Sequence, residues 1–186
     1  MLLEPTLDNL TALQLHGMVG ALRQWQAQPP REPVTPLDLV GLLADAAWLY
    51  RENRKLTARL KAAKLKLVAC VEDIDDRHPR GLAKAIVHEL SGSRWVAAHQ
   101  TVVITGPTGV GKSYLACALG HKACRDGFTV AYRRGSRLYD ELAQARADGT
   151  YVTVLRRLAK VQLLVLDDFG LASLGAAERT GLLEVL

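Results

Sequence analysis

The stretch Gly106-Pro107-Thr108-Gly109-Val110-Gly111-Lys112-Ser113 decides the reading of this chain. It fits G-x-x-x-x-G-K-[ST], the pattern of a loop that cradles phosphates. Its flanks agree: Thr101-Val102-Val103-Ile104-Thr105 reads as a buried strand entering the loop, and residues 114–125 read as a helix leaving it. A triphosphate must be held without a bulky cage, and successive backbone N–H groups turned inward make an anion nest that does so. Glycines permit the dihedrals and the close approach, and the helix start adds the positive end of its dipole. Lys112 then places a charge on the terminal phosphates, and the Ser113 hydroxyl is a ligand for Mg²⁺. The competing reading, a glycine-rich turn before an ordinary helix, leaves the Lys-Ser pair and the strand unexplained.

A second signal lies 55 residues after Lys112. Leu163-Leu164-Val165-Leu166-Asp167-Asp168 is an apolar run ending in two carboxylates. Such a run suits a parallel strand covered on both faces, and in α/β proteins ligands bind beyond the carboxyl ends of such strands. Asp167 is the expected Walker B acid, holding Mg²⁺ through its waters, and Asp168 the candidate for polarising an attacking water. Lys112, Asp167 and Asp168 are therefore the candidate catalytic residues. Gly106 to Ser113, with Tyr114 after them, are the candidate nucleotide-binding residues, and Ser113 and Asp167 the metal ligands.

The 186 residues carry 24 basic and 19 acidic side chains, a net charge of +5. The excess is local. Arg51, Arg54, Lys55, Arg59, Lys61, Lys64 and Lys66 stand against Glu52 alone between positions 51 and 66. A focused basic stripe favours a polyanion, nucleic acid first and acidic lipid second, with duplex DNA bound without strong sequence preference because no groove-reading motif accompanies the stripe; the alternative is a helix face that the charges merely solvate. Tyr50 and Trp48, which flank the stripe, are expected to pack rather than stack on bases. Three cysteines form no disulfide framework, and no signal peptide or membrane-spanning run is present, so a cytoplasmic protein is expected. Cys117, His121 and Cys124 fall at helical spacing, which suits a packed helix face better than a metal site.

Periodicity predicts one helix over residues 6–26, a Pro-rich break, and a long helix from Pro36 to about Leu67 that carries the basic stripe. A further helix is expected at 81–90. Strands are expected at 101–105, 128–132 and from Leu163, with helices at 136–147, 152–159 and near the end. The fold class is α/β: a P-loop NTPase parallel sheet, incomplete at its C-terminal end, after an all-α N-terminal region. The expected boundary lies between residues 1–76 and 77–186.

The combination of Leu15-His16-Gly17-Met18, Glu52-Asn53-Arg54-Lys55-Leu56, Glu72-Asp73-Ile74-Asp75, the phosphate loop and Leu166-Asp167-Asp168-Phe169-Gly170 resembles the IstB-like transposition helper ATPases, relatives of the DnaC-type helicase loaders in the AAA+ superfamily. The resemblance covers nearly the whole chain. It implies ATP and Mg²⁺ as cofactors, assembly into an oligomer on DNA, and a transposase as partner. It also implies two further strands, a sensor residue and an arginine finger after the Walker B strand, which the 186 residues do not contain. One of those strands would lie between the Walker B and phosphate-loop strands. Either that slot stays open or the two strands pair directly, and in both cases slow hydrolysis or none is expected. A remnant without turnover, a helicase loader and, last, a small-molecule kinase remain the alternative readings.

Overall fold

The computed structural model describes residues 3–29, 33–75, 81–170 and 175–185. Two compact units divide the chain, Met1–Thr57 and Ala58–Leu186.

The first unit is helical. Helix α1 spans Leu3–Ala12, α2 spans His16–Ala27, and α3, Pro36–Ala63, begins here and continues into the second unit. The single helix expected over 6–26 is thus two. Gln14 adopts a left-handed conformation, φ 59°, and the Leu15 N–H bonds back to the Leu10 carbonyl, which closes α1 and turns the chain. Hydrophobic period alone does not register such a turn, because the apolar positions resume almost in phase behind it. Helices α2 and α3 touch where Gly17 removes a side chain: a Cβ there would collide with the Ala46 carbonyl oxygen and come within 2.7 Å of the Ala47 Cα. Thr35 opens α3, its hydroxyl accepting from the Asp38 N–H at 3.2 Å. Along α3 the apolar half is largely exposed, Leu37 at 80% and Trp48 at 66%, so Trp48 does not pack as expected.

The second unit holds the sheet. Strands β1, Val130–Arg134, and β2, Leu163–Asp167, pair in parallel, with Val130 opposite Leu163 and Arg134 opposite Asp167. The crossover runs through α7, Gly135–Ala147, and α8, Tyr151–Leu158. Before the sheet come α4, Lys84–Ser91, the short α5, Arg94–Ala97, and α6, Lys112–Arg125; after it comes α9, Ala176–Val185. Alternation along β2 divides its side chains between two cores. Leu164 and Leu166 pack on Leu138, Leu142, Ala145, Val154 and Leu158 from α7 and α8. Val165 packs on the other side with Tyr132 and with Cys117 and Ala118 of α6.

Two strand expectations are corrected. The second strand starts at Val130, two residues later than expected, after the Phe128 N–H is taken by the Ala123 carbonyl that ends α6. Residues 101–105 do not form a strand: among the described residues the sheet contains β1 and β2 alone, and Val103 is 78% exposed. The Walker B strand therefore pairs with β1 and not with the segment entering the phosphate loop. An apolar β-branched run becomes a strand only when a neighbour supplies its hydrogen bonds.

Close approach at Gly17 gives a stability test. Gly17→Ala should destabilise by about 1–3 kcal/mol through overpacking, whereas Gly20→Ala on the same helix, where a Cβ meets nothing within 4 Å, should be neutral or stabilising by up to about 1 kcal/mol. Urea unfolding followed by circular dichroism separates the two.

Candidate functional site

Helix α6 starts at Lys112, immediately after the loop, so the loop's last glycine serves as its N-cap. Gly109 and Gly111 have φ of 86° and 97°, values that a side chain would strain. Gly106 to Val110 are exposed. The Lys112 ammonium turns back over this loop and donates to the carbonyls of Gly106, at 2.8 Å, and Pro107, at 2.7 Å. Tyr114 is half-buried, with its ring against the Cys117–Tyr132 core, so its link to the loop is through the backbone.

Ser113, one residue into α6, reaches across to β2. Its hydroxyl lies 2.9 Å from both Oδ1 and Oδ2 of Asp167. The phosphate-loop serine and the acid 54 residues later are thus brought together as expected. Two further donors, which no sequence motif assigns to this carboxylate, share Oδ2: the Tyr132 hydroxyl and the Lys66 ammonium, the latter at 3.3 Å. Burial acts to raise the Asp167 carboxyl, but hydrogen bonds from Tyr132, Ser113 and Lys66 outweigh it and hold the group below its ordinary value. Burial first, then Asp167, push the Tyr132 phenol well above its ordinary value. Tyr132 was findable in principle: it stands beside Val165 in the register, and a period of two puts Asp167 on that same face.

Asp168 takes a different course. It sits at φ 56°, and its carboxylate lies 3.8 Å from Arg134 Nε at the end of β1. The two acids therefore diverge: Asp167 faces Ser113, while Asp168 faces an arginine at the sheet's edge.

A hydroxyl and a carboxylate side by side form the hard-oxygen set that Mg²⁺ takes, completed by phosphate oxygens and water. Ser113 and Asp167 fit that ion, and they are the residues that would hold it. Among the described residues no cluster of three or more His, Cys, Asp or Glu forms a metal site. Cys117 and Cys124 are fully buried, and burial raises the Cys124 thiol.

The seven cations of the basic stripe are not equivalent. Arg51, Arg54 and Lys55 are exposed in the first unit, with Lys55 paired to Glu52 at 2.8 Å. In the second unit Lys61 and Lys64 are exposed, while Arg59 donates to the Cys124 carbonyl at 2.8 Å and Lys66 reaches Asp167. Helix α3 ends at Ala63, earlier than expected, because Lys64 turns left-handed at φ 51°. Lys64 and Lys66 thus lie beyond the helix.

The family profile described as IstB-like ATP binding protein matches residues 8–186. The chain belongs to this family. Its parallel sheet, crossover helices and phosphate loop are the corresponding α/β P-loop architecture. The chain is 48% identical over 186 residues to a Sinorhizobium fredii protein named as insertion sequence ATP-binding protein y4pL, covering all of this chain and 76% of that protein. It is 41% identical over 187 residues to a Pseudomonas fluorescens protein named as an ATP-binding protein of insertion sequence IS1162, covering all of this chain and 81% of that one. A Mycobacterium tuberculosis protein named as the insertion-sequence ATP-binding protein Rv3427c shares 33% identity over 184 residues, 98% of this chain and 73% of that protein. Among the described residues, no helix of this family member is long and apolar enough to cross a membrane.

The Asp167 cluster carries a prediction. Tyr132→Phe removes one donor to a charged acceptor and should lower stability by about 1–3 kcal/mol at neutral pH. Because partners hold the folded-state value below the ordinary 3.8, the contribution is complete above that value and is lost as pH falls through the lowered one. The gap between parent and variant in chemical denaturation should therefore narrow below about pH 4.

Proposed function

We propose that this chain is an ATP-binding, DNA-binding helper of DNA transposition, which self-associates on duplex DNA without strong sequence preference and stimulates a transposase. The observation that carries the reading is the meeting of Ser113 with Asp167 at the mouth of the glycine loop, in a chain whose relatives are named as insertion-sequence ATP-binding proteins.

In this reading the inward N–H groups of residues 106–113 and the α6 N-terminus hold the phosphates, and Lys112 leaves its two loop carbonyls for phosphate oxygens. Ser113 and Asp167 would hold Mg²⁺, and the ion would supply neutralisation of phosphate charge. Asp168 is the proposed acid for orienting water, which requires its side chain to leave Arg134. The exposed cations Arg51, Arg54, Lys55, Lys61 and Lys64 are the proposed phosphate contacts on DNA; Arg59 and Lys66 join them only on giving up the partners they hold.

Lys112→Ala should weaken Mg·ATP binding about 10- to 100-fold, the loss of charge-assisted bonds to phosphate, while the loop backbone stays intact. Isothermal titration of the two proteins measures it, and equal affinities would refute the nucleotide assignment. For DNA, replacing Arg51, Arg54 and Lys61 together by Gln should weaken all duplex sequences alike. It should also flatten the log–log salt slope by about 1 for each DNA phosphate no longer neutralised. Fluorescence anisotropy across a salt series reads both, and an unchanged slope would move the DNA site elsewhere.

A further inference from the structure

The Asp167 carboxylate is the proposed metal ligand, yet one of its oxygens already faces a cation. Lys66 Nζ lies 3.3 Å from Oδ2, with the lysine side chain 33% exposed and the aspartate 12%. The lysine cannot drift away with its backbone, because the chain on either side of it is anchored. Ala63 and Ala69 are buried, Leu65 packs over Gly120 of α6, and Ala69 packs with Cys117 and Ala118. Between these anchors Leu67 and Val68 are exposed, Val68 at 98%. Lys66 thus sits on a fixed strap that crosses α6, with a side chain free to swing between the carboxylate and solvent.

We propose that Lys66 is a tethered rival of the metal at Asp167, expelled to solvent when Mg·nucleotide loads, where its charge joins those available to DNA. The inference rests on the nucleotide reading above and adds a regulation of that site. Two cations drawn to one carboxylate exclude each other through mutual repulsion, and the ammonium occupies lone pairs that a water on the metal would otherwise donate to. The same ammonium cannot serve Asp167 and a DNA phosphate at once. Metal loading and the DNA contact are then linked, and linkage is reciprocal: whatever factor Mg·nucleotide adds to DNA affinity, DNA adds to Mg·nucleotide affinity.

The test uses the full chain and its Lys66→Gln and Lys66→Arg variants, with a fluorescent ATP analogue titrated at Mg²⁺ from zero (EDTA) upward. Lys66→Gln should lower the Mg²⁺ concentration for half-maximal tightening about two- to fivefold, the range of a partly exposed ion pair. Lys66→Arg, which keeps the cation, should restore the parent midpoint. An unmoved or raised midpoint in Lys66→Gln overturns the inference. In a second arm, a duplex of arbitrary sequence is titrated against salt with and without Mg²⁺ and the analogue. Loading should steepen the slope by about 1 in the parent and leave Lys66→Gln unchanged; equal steepening in both overturns it. Should the parent fail to bind the analogue at any Mg²⁺ level, the nucleotide reading falls and this inference with it. Parent binding with a Lys66→Gln midpoint that does not fall removes this inference alone. Because the Lys66 side chain is partly exposed, the thermal melts of the variants should overlay the parent's and exclude misfolding as the cause.

Discussion

The Asp167 carboxylate at the end of β2 ties together parts of the second unit that are far apart in sequence. Ser113 approaches from the first turn of α6, Tyr132 from the neighbouring strand, and Lys66 from the segment after α3. A carboxylate withdrawn this far from water needs donors to offset its lost hydration. Here the same donors fix where the acid points, so the site's geometry and the local stability come from one set of bonds.

That convergence requires α6 to lie close to the strands, and its composition allows this. Cys117, Ala118, Gly120, Ala123 and Cys124 are all buried and all small. A Cβ on Gly120 would come within 3.1 Å of Leu65 and 3.5 Å of Val130. The small side chains let the helix start, with its loop, sit at the carboxyl end of β2. The cysteines at helical spacing therefore serve packing, and Arg59 adds a bond from the end of α3 to the last turn of α6 through the Cys124 carbonyl. The same spacing that resembles a metal-ligand pattern in the sequence is the seam on which the phosphate loop is seated.

The basic stripe shows how one feature of composition divides into several physical roles. Exposed members such as Arg51 and Lys61 are available to a polyanion, Lys55 has an acid three residues away, Arg59 is built into the fold, and the partly exposed Lys66 is paired with Asp167. Charge counted along a sequence measures the long-range field correctly, because that field sums over all cations. It does not say which ammonium groups are already spent on internal acceptors.

The amino-acid sequence alone determined the phosphate loop, the two acids, the family and, apart from the short α5, the order of helices from α3 onward. These features depend on short-range rules: glycines where positive φ is needed, a lysine and serine at the helix start, an apolar run before a carboxylate. The tertiary structure decided the rest. Residues 101–105 have strand-like side chains, but a strand exists only with a hydrogen-bonding neighbour, and among the described residues neither β1 nor β2 pairs with them. The turn at Gln14 hides within an unbroken apolar rhythm, since backbone reversal leaves the side-chain pattern nearly in phase. Tyr132 and Lys66 carry no local sign of their role, because what brings them to Asp167 is the register of two strands and a strap 101 residues away in sequence from the acid it meets.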